Sequence, residues 1–192
     1  MSPAGDRVVL ATRNDHKVRE FARLLPGVGI DPLPDAAESP EETGATYAEN
    51  ALIKARAAAE FTGTAAIADD SGIEAAALGG APGVRSARFA GDGASDAQNL
   101  QLLIERVDPG SGLEYVCVIA LVDPSSGRED LFEGRCAGAM AAAPSGDGGF
   151  GYDPVFLPSA LPDGRTMAEL TDAEKDSISH RGIAARLLLE AL

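Results

Sequence analysis

A chain of 192 residues, 45% hydrophobic and 24% charged, has the ordinary composition of a globular protein and is long enough for a sizeable core, as one domain or as two lobes sharing a cleft. The formal net charge of −14 excludes a general affinity for nucleic acid or for an anionic membrane. No apolar run approaches the ~18 residues of a membrane span, and no basic segment with a following apolar stretch marks a signal peptide, so a cytoplasmic protein is expected.

"RVVLAT" (Arg7–Thr12) is a short apolar run and reads as a buried strand. After a polar turn, Val18, Phe21, Ala22 and Leu25 fall on one helical face. "PGVGIDPLP" breaks that helix and leaves room for a short edge strand. Thr46 and Glu49 form a capping-box pattern that opens a helix through about Phe61, with Gly63 as its stop. "TAAIA" then reads as a strand that ends on Asp69 and Asp70. Ser95 and Gln98 repeat the capping box, and Leu100, Leu103, Ile104 and Val107 give the stripe of the next helix. "LEYVCVIALV" (Leu113–Val122) is apolar at nearly every position, as a strand buried on both faces would be. "DPSSG" is a hairpin turn into "REDLFEGRCAGAM", which makes the sheet mixed. A glycine-rich loop, "PSGDGGFGYDP", precedes the short strand "VFLP", and the terminal helix shows the stripe Ile183, Leu187, Leu188 and Ala191. No repeat, low-complexity tail or linker interrupts the chain, so residues 1–192 are expected to form a single domain. Cys117 and Cys136 lie in apolar strand-like runs and are expected to be reduced, buried thiols.

The scarce residue types point to the chemistry. There are three lysines against thirteen arginines. In a chain that fills its generic cation positions with arginine, lysine is expected where a compact point charge is needed, as at a phosphate. Lys17 opens the first helix, Lys54 lies on the helix before the aspartate pair, and Lys175 precedes "SISHRG", which holds one of two histidines. "LATRNDHK" follows a strand and opens a helix, where backbone N–H groups and the helix dipole favour an anion, with Thr12, Asn14 and Lys17 as further donors. The plainer alternative is that Asn14 or Asp15 caps the helix.

"IADDSGIEAAALGGAPGVRSARFAG" (Ile67–Gly91) is the stretch least like packing. Ligands of open α/β sheets bind beyond the carboxyl ends of strands, and Asp69 and Asp70 are placed there. Such carboxylates can hold a hard divalent cation, for which Mg²⁺ is the natural candidate, and can orient or deprotonate water. Ser71 can donate to a phosphate oxygen. Glu41 and Glu42, ahead of the capped helix, are candidates for a further metal carboxylate. "DDSG" lacks the D-x-D pattern of aspartyl-phosphate phosphatases. The pair also follows a helix and not the first strand, which fits a phospho-acceptor domain poorly.

Five stretches, in order, resemble the inosine triphosphate pyrophosphatase family, which removes non-canonical purine nucleoside triphosphates: "LATRNDHKVRE", "EETGATYAENALIKA", "IADDSGIEAAALGGAPGVRSARFAG", "GGFGYDPVF" and "AELTDAEKDSISHRGIA". The resemblance runs from about Arg7 to Leu189. Arg85, where members often carry an aromatic residue, is a small departure. The resemblance implies an α/β fold with a mixed central sheet flanked by helices, elongated and two-lobed around a central cleft. It also implies a homodimer and Mg²⁺-dependent hydrolysis of ITP, dITP or XTP to the monophosphate and pyrophosphate.

Carried over by residue, Thr12, Arg13, Asn14, Asp15, His16 and Lys17 would bind the triphosphate with Lys54 and Ser71. Glu42 and Asp70 would hold the metal with Asp69 close by, and Asp70 would be the general base. Phe150, Gly151, Tyr152 and Asp153, with Lys175, His180 and Arg181, would line the nucleotide pocket. Inosine and xanthine present an oxygen at purine position 6 where adenine presents an amino group. Donors such as Arg181 would satisfy the oxygen and oppose the amine, at ~1–3 kcal/mol for each unpaired group. Two alternatives stand beside this reading: a septum-inhibitor-type pyrophosphatase acting on modified pyrimidine nucleotides, and a nucleotide-binding module that does not hydrolyse. "SHRG" argues against the first, and the set Glu42, Asp69 and Asp70 against the second.

Overall fold

Val8, Val9 and Leu10 are three consecutive buried side chains, and the strand they form, β1 (Arg7–Leu10), is paired on both sides. The computed structural model that shows this describes residues 7–192. The first six, where the no-leader reading begins, lie outside the described residues. Asn14 caps α1 (Asp15–Leu24), which leads to the edge strand β2 (Gly29–Pro32). Thr46 and Glu49 close a capping box on α2 (Tyr47–Thr62), and Gly63 ends it in the left-handed conformation open to glycine. There follow β3 (Ala66–Ala75), α3 (Asp96–Arg106), β4 (Gly112–Asp123), β5 (Arg128–Met140), β6 (Phe156–Pro158), α4 (Asp172–Ile178) and α5 (His180–Ala191).

The six strands form one sheet in the order β2-β1-β3-β4-β5-β6. β1 is parallel to β2 and β3, whereas β6 is antiparallel to β5, so the sheet is mixed. The α/β architecture expected from the alternation of periodicities is therefore present. Among the described residues no helix is long and apolar enough to cross a membrane.

The chain divides into two compact units. Among the described residues, the first comprises those up to Asp70 with Cys117–Glu133 and Ala184–Leu192; the second comprises Ser71–Val116 and Gly134–Ile183. The first unit packs Val8, Leu10, Phe21, Leu25, Ile67, Ile119, Leu121 and Leu188 into its core. The second packs Ile73, Leu103, Val107, Leu113, Tyr115, Met140, Tyr152, Val155 and Phe156. Both cysteines are buried, and neither is in a disulfide.

Two expectations are corrected. Asp69 and Asp70 do not end their strand: β3 runs on to Ala75. Its parallel partner is what stops. Leu10, the last residue of β1, pairs with Ile67, so the aspartates stand just past the carboxyl end of β1 on a strand that continues beside β4. On α5 Ala184, Ala185 and Leu188 are fully buried apolar residues, while Leu187 is 40% exposed. Leu188 keeps its expected place in the core, whereas Leu187 turns outward, and the helix docks beside Leu188 through the small side chains of Ala184 and Ala185, which allow close approach.

Candidate functional site

In the first unit the Thr12–Lys17 segment is organised locally. Asn14 Oδ1 accepts from the backbone N–H groups of His16 (2.9 Å) and Lys17 (3.2 Å), and Thr12 Oγ1 accepts from Asn14 N (3.2 Å). Arg13 donates to the carbonyl oxygens of Pro34, Asp35 and Ala37, at 3.0, 3.3 and 2.7 Å, and so clasps the segment after β2. Asp15 and His16 are exposed, with His16 Nδ1 3.1 Å from an Arg19 guanidinium nitrogen. Lys17 Nζ lies 3.0 Å from Oδ2 of the buried Asp69.

Asp70 is 6% exposed and faces different partners, because successive strand residues point to opposite faces. Its Oδ1 is 3.3 Å from Lys54 Nζ, and the same ammonium donates to Glu42 Oε1 at 2.6 Å. Glu41 is exposed, so Glu42 is the glutamate brought to the cluster. Asp70 Oδ2 accepts from Asn50 Nδ2 at 3.1 Å, and Asn50 Oδ1 in turn accepts from Gly44 N at 2.8 Å. A Cβ at Gly44 would lie 2.6 Å from that Asn50 oxygen, so glycine is needed for the loop carrying Glu42 to approach α2.

Burial is the largest single influence on Lys54 and lowers its pKa. Asp70, Asp69 and Glu42 together outweigh burial, and the net direction is upward, so the ammonium is held charged. The Asp70 pKa is raised, chiefly by burial, with Lys54 opposing and the like charge of Glu42 reinforcing. The two directions are compatible: Lys54 faces Glu42 as well as Asp70, and its attraction does not offset the burial of Asp70.

Among the described residues no three His, Cys, Asp or Glu side chains form a group able to hold a metal by themselves. Glu42 and Asp70 nonetheless converge on one cation, and hard carboxylate oxygens match Mg²⁺. That ion is commonly bound by one or two carboxylates, with waters and substrate phosphates completing its octahedron. The donor set therefore fits Mg²⁺.

In the second unit Asp153 is the hub. Its Oδ1 accepts from Tyr115 O–H at 3.0 Å, and its Oδ2 accepts from Lys175 Nζ at 2.8 Å and Phe150 N at 3.0 Å. A Cβ at Gly149 would fall 2.0 Å from Asp153 Oδ2, at a backbone φ of +68° that itself favours glycine. Lys175 Nζ and the Arg181 guanidinium lie 5.2 and 5.9 Å from the Phe150 ring centre, within cation–π range. Arg181 is 2% exposed and donates to Ser71 Oγ at 2.8 Å. His180 is buried and stacks on Tyr115. Ser179 caps α5 by accepting from Gly182 N at 3.1 Å. Gly151 takes a left-handed turn, and Tyr152 donates its hydroxyl to the Ser86 carbonyl at 2.7 Å, tying the loop to the Gly83–Arg88 turn.

All three lysines thus sit on candidate carboxylates: Lys17 on Asp69, Lys54 on Glu42 and Asp70, Lys175 on Asp153. Two residues joined to these clusters, Asn50 and Tyr115, were not anticipated. Asn50 had a visible signal. The buried stripe of α2 holds Tyr47, Ala51, Ala55 and Ala58, and Asn50 interrupts it with a carboxamide. Tyr115 carries the one hydroxyl inside the apolar run of β4.

The Ham1 family model matches residues 8–191. A dITP/XTP pyrophosphatase of Yersinia pestis is 48% identical over 97% of this chain and 98% of its own length. Another, of Symbiobacterium thermophilum, is 51% identical over 97% and 94%. The structure of a HAM1 protein from Coxiella burnetii superposes with a TM-score of 0.83 at 42% identity, covering 96% of this chain and 97% of that one. With a family model spanning nearly the whole sequence and relatives near half identity along its length, this chain belongs to the Ham1 family.

Proposed function

We propose that this protein hydrolyses non-canonical purine nucleoside triphosphates, ITP, dITP and XTP, to the monophosphate and pyrophosphate. The observation that carries the reading is the convergence of Glu42 and Asp70 on Lys54, with Lys17 on Asp69. Acidic oxygens for a divalent ion and cations for phosphate oxygens thus occur together. The names of the curated relatives give the substrate class.

Lys17 and Lys54 exchange carboxylate for phosphate partners when the triphosphate arrives. The N-terminal turn of α1 and Ser71 supply neutral donors to phosphate oxygens. Arg13 acts indirectly, by holding the segment after β2 with its three carbonyl contacts. Glu42 and Asp70 would hold Mg²⁺, which when bound would neutralise triphosphate charge and polarise the phosphoanhydride. Asp70 takes the proton of the attacking water at Oδ1, loosely held at 3.3 Å by Lys54, while Asn50 keeps Oδ2 in place. Phe150 stacks on the base, and His180 and Arg181 present donors to its 6-oxygen, which adenine cannot accept. The family resemblance adds a homodimer and a cytoplasmic location to the proposal.

Incubation with ITP, dITP, XTP, ATP and GTP in Mg²⁺, with pyrophosphate and monophosphate quantified, tests the reading. Stoichiometric pyrophosphate and monophosphate from the non-canonical purines, with little from ATP, is the expected result. Release of orthophosphate and diphosphate, or equal turnover of ATP, would overturn it.

A further inference from the structure

Tyr115 lies on β4, in the part of its apolar run that packs into the second unit's core. A phenylalanine would fill the same volume, and burying a hydroxyl is costly unless it finds a partner. The Tyr115 hydroxyl finds Asp153 Oδ1 at 3.0 Å. Burial raises the Tyr115 pKa well above the ordinary phenol value, and Asp153 pushes the same way, so the group remains an O–H donor.

The hydroxyl completes a carboxylate whose other oxygen orders Phe150 N and Lys175. The ring does separate work. Its face stacks on the His180 imidazole, with centroids 4.6 Å apart and planes 8° apart, and it tilts against Phe156 at 4.5 Å and 39°. One side chain therefore touches the Phe150–Asp153 loop with its polar tip and the start of α5 with its aromatic face.

We propose that Tyr115 is a positioning residue for purine selection: its hydroxyl sets the loop that places Phe150, and its ring sets the plane of His180. The inference rests on the reading that Phe150, His180 and Arg181 receive the base. A positioning fault at a binding group raises KM for the recognised base and leaves the bond-breaking step intact.

The test compares Tyr115→Phe, which removes only the hydroxyl, with Tyr115→Leu, which also removes the stacked ring. Arg181→Ala serves as an independent probe of the base-binding reading. For each protein kcat and KM are measured on XTP and ATP, with the melting temperature alongside. Tyr115→Phe is expected to raise KM for XTP about tenfold, the scale of losing one hydrogen bond to a charged group. Its kcat should stay within about twofold while the XTP:ATP ratio of kcat/KM falls by a factor similar to the rise in KM, and its melting temperature should drop modestly with the fold retained, because the buried Asp153 Oδ1 loses a donor. Tyr115→Leu should be worse on both counts, so that the phenyl ring accounts for a partial rescue.

Unchanged KM in a Tyr115→Phe protein, a loss confined to kcat, or failure of that variant to fold overturns the proposal. If Arg181→Ala raises KM for XTP while Tyr115→Phe does not, only the role of Tyr115 falls. If neither variant alters KM, the base-binding reading falls with it.

Discussion

Gly182 offers a sharp test, because the geometry there leaves little freedom. A Cβ built on Gly182 would lie 2.0 Å from the Asp176 carbonyl oxygen and 3.1 Å from Ser179 Oγ. An ordinary carbon–oxygen contact is about 3.3 Å, so Gly182→Ala requires the start of α5 and the end of α4 to separate by more than ~1 Å. Helix propensity argues the other way, since alanine is favoured over glycine by ~1 kcal/mol in a helix interior. The obstacle is backbone and cannot rotate aside, so the clash wins, and overpacking of this kind costs ~1–3 kcal/mol or more. A net loss of ~2 kcal/mol lowers the melting temperature of a chain this size by about 4–8 °C.

Arg181 is the adjacent residue and His180 the next, so the same shift moves both. A displacement of ~1 Å at a positioning group can cost ~10²-fold in efficiency. Differential scanning fluorimetry and pyrophosphate release from XTP measure the two effects. Gly112→Ala is the control: its Cβ would meet Ala76 Cβ at 3.8 Å, an ordinary contact, and the effect should stay within ~0.5 kcal/mol. A Gly182→Ala protein that melts at or above the parent temperature with unchanged KM would refute the reasoning.

Three other outcomes are expected. Asp70→Asn should fold, because the amide keeps the shape of the carboxylate, and should lose ~10²–10⁴-fold in kcat as the positioned base is removed; a folded variant with most of its activity would take Asp70 out of the role. Excess chelator should silence pyrophosphate release, Mg²⁺ should restore it, and Ca²⁺ should restore it poorly because its larger, looser shell misplaces the reacting groups; unchanged turnover in chelator would contradict the metal role of Glu42 and Asp70. Burial, with Glu114 and Asp153 adding to it, pushes the Cys136 thiol up to about 11. Thiolate therefore grows with pH throughout the range below that value, and at pH 8 native Cys136 should react with iodoacetamide on the order of 10²-fold slower than an exposed thiol of ordinary pKa ~8.5. Its rate should rise about tenfold per pH unit up to pH 10, and peptide mass mapping that finds rapid modification at pH 8 would contradict the buried setting.

The elements themselves were legible because their signals are local. Capping boxes at Thr46 and Ser95 bond within three residues of themselves, and the apolar run of β4 reports burial on both faces without naming what covers it. The chemistry was legible as an inventory too: three lysines, an aspartate pair, Glu42 and "SHRG".

What each of these groups faces belongs to tertiary structure. The sequence determined that Lys54 lies on a helix and Asp70 on a strand, but their 3.3 Å contact exists only once α2 packs beside β3. Arg13 stood in a stretch suited to phosphate, and the fold turned its guanidinium onto the carbonyls after β2. Arg181 sits at a helix start where the dipole disfavours a cation, and Ser71, far away in sequence, supplies its partner. Asp69 and Asp70 were placed at a strand end from their own neighbours, whereas the end that matters is that of β1. Hydrophobic period records which face of an element is dry; which polar group meets which across that face depends on docking angles and registers set by the whole core.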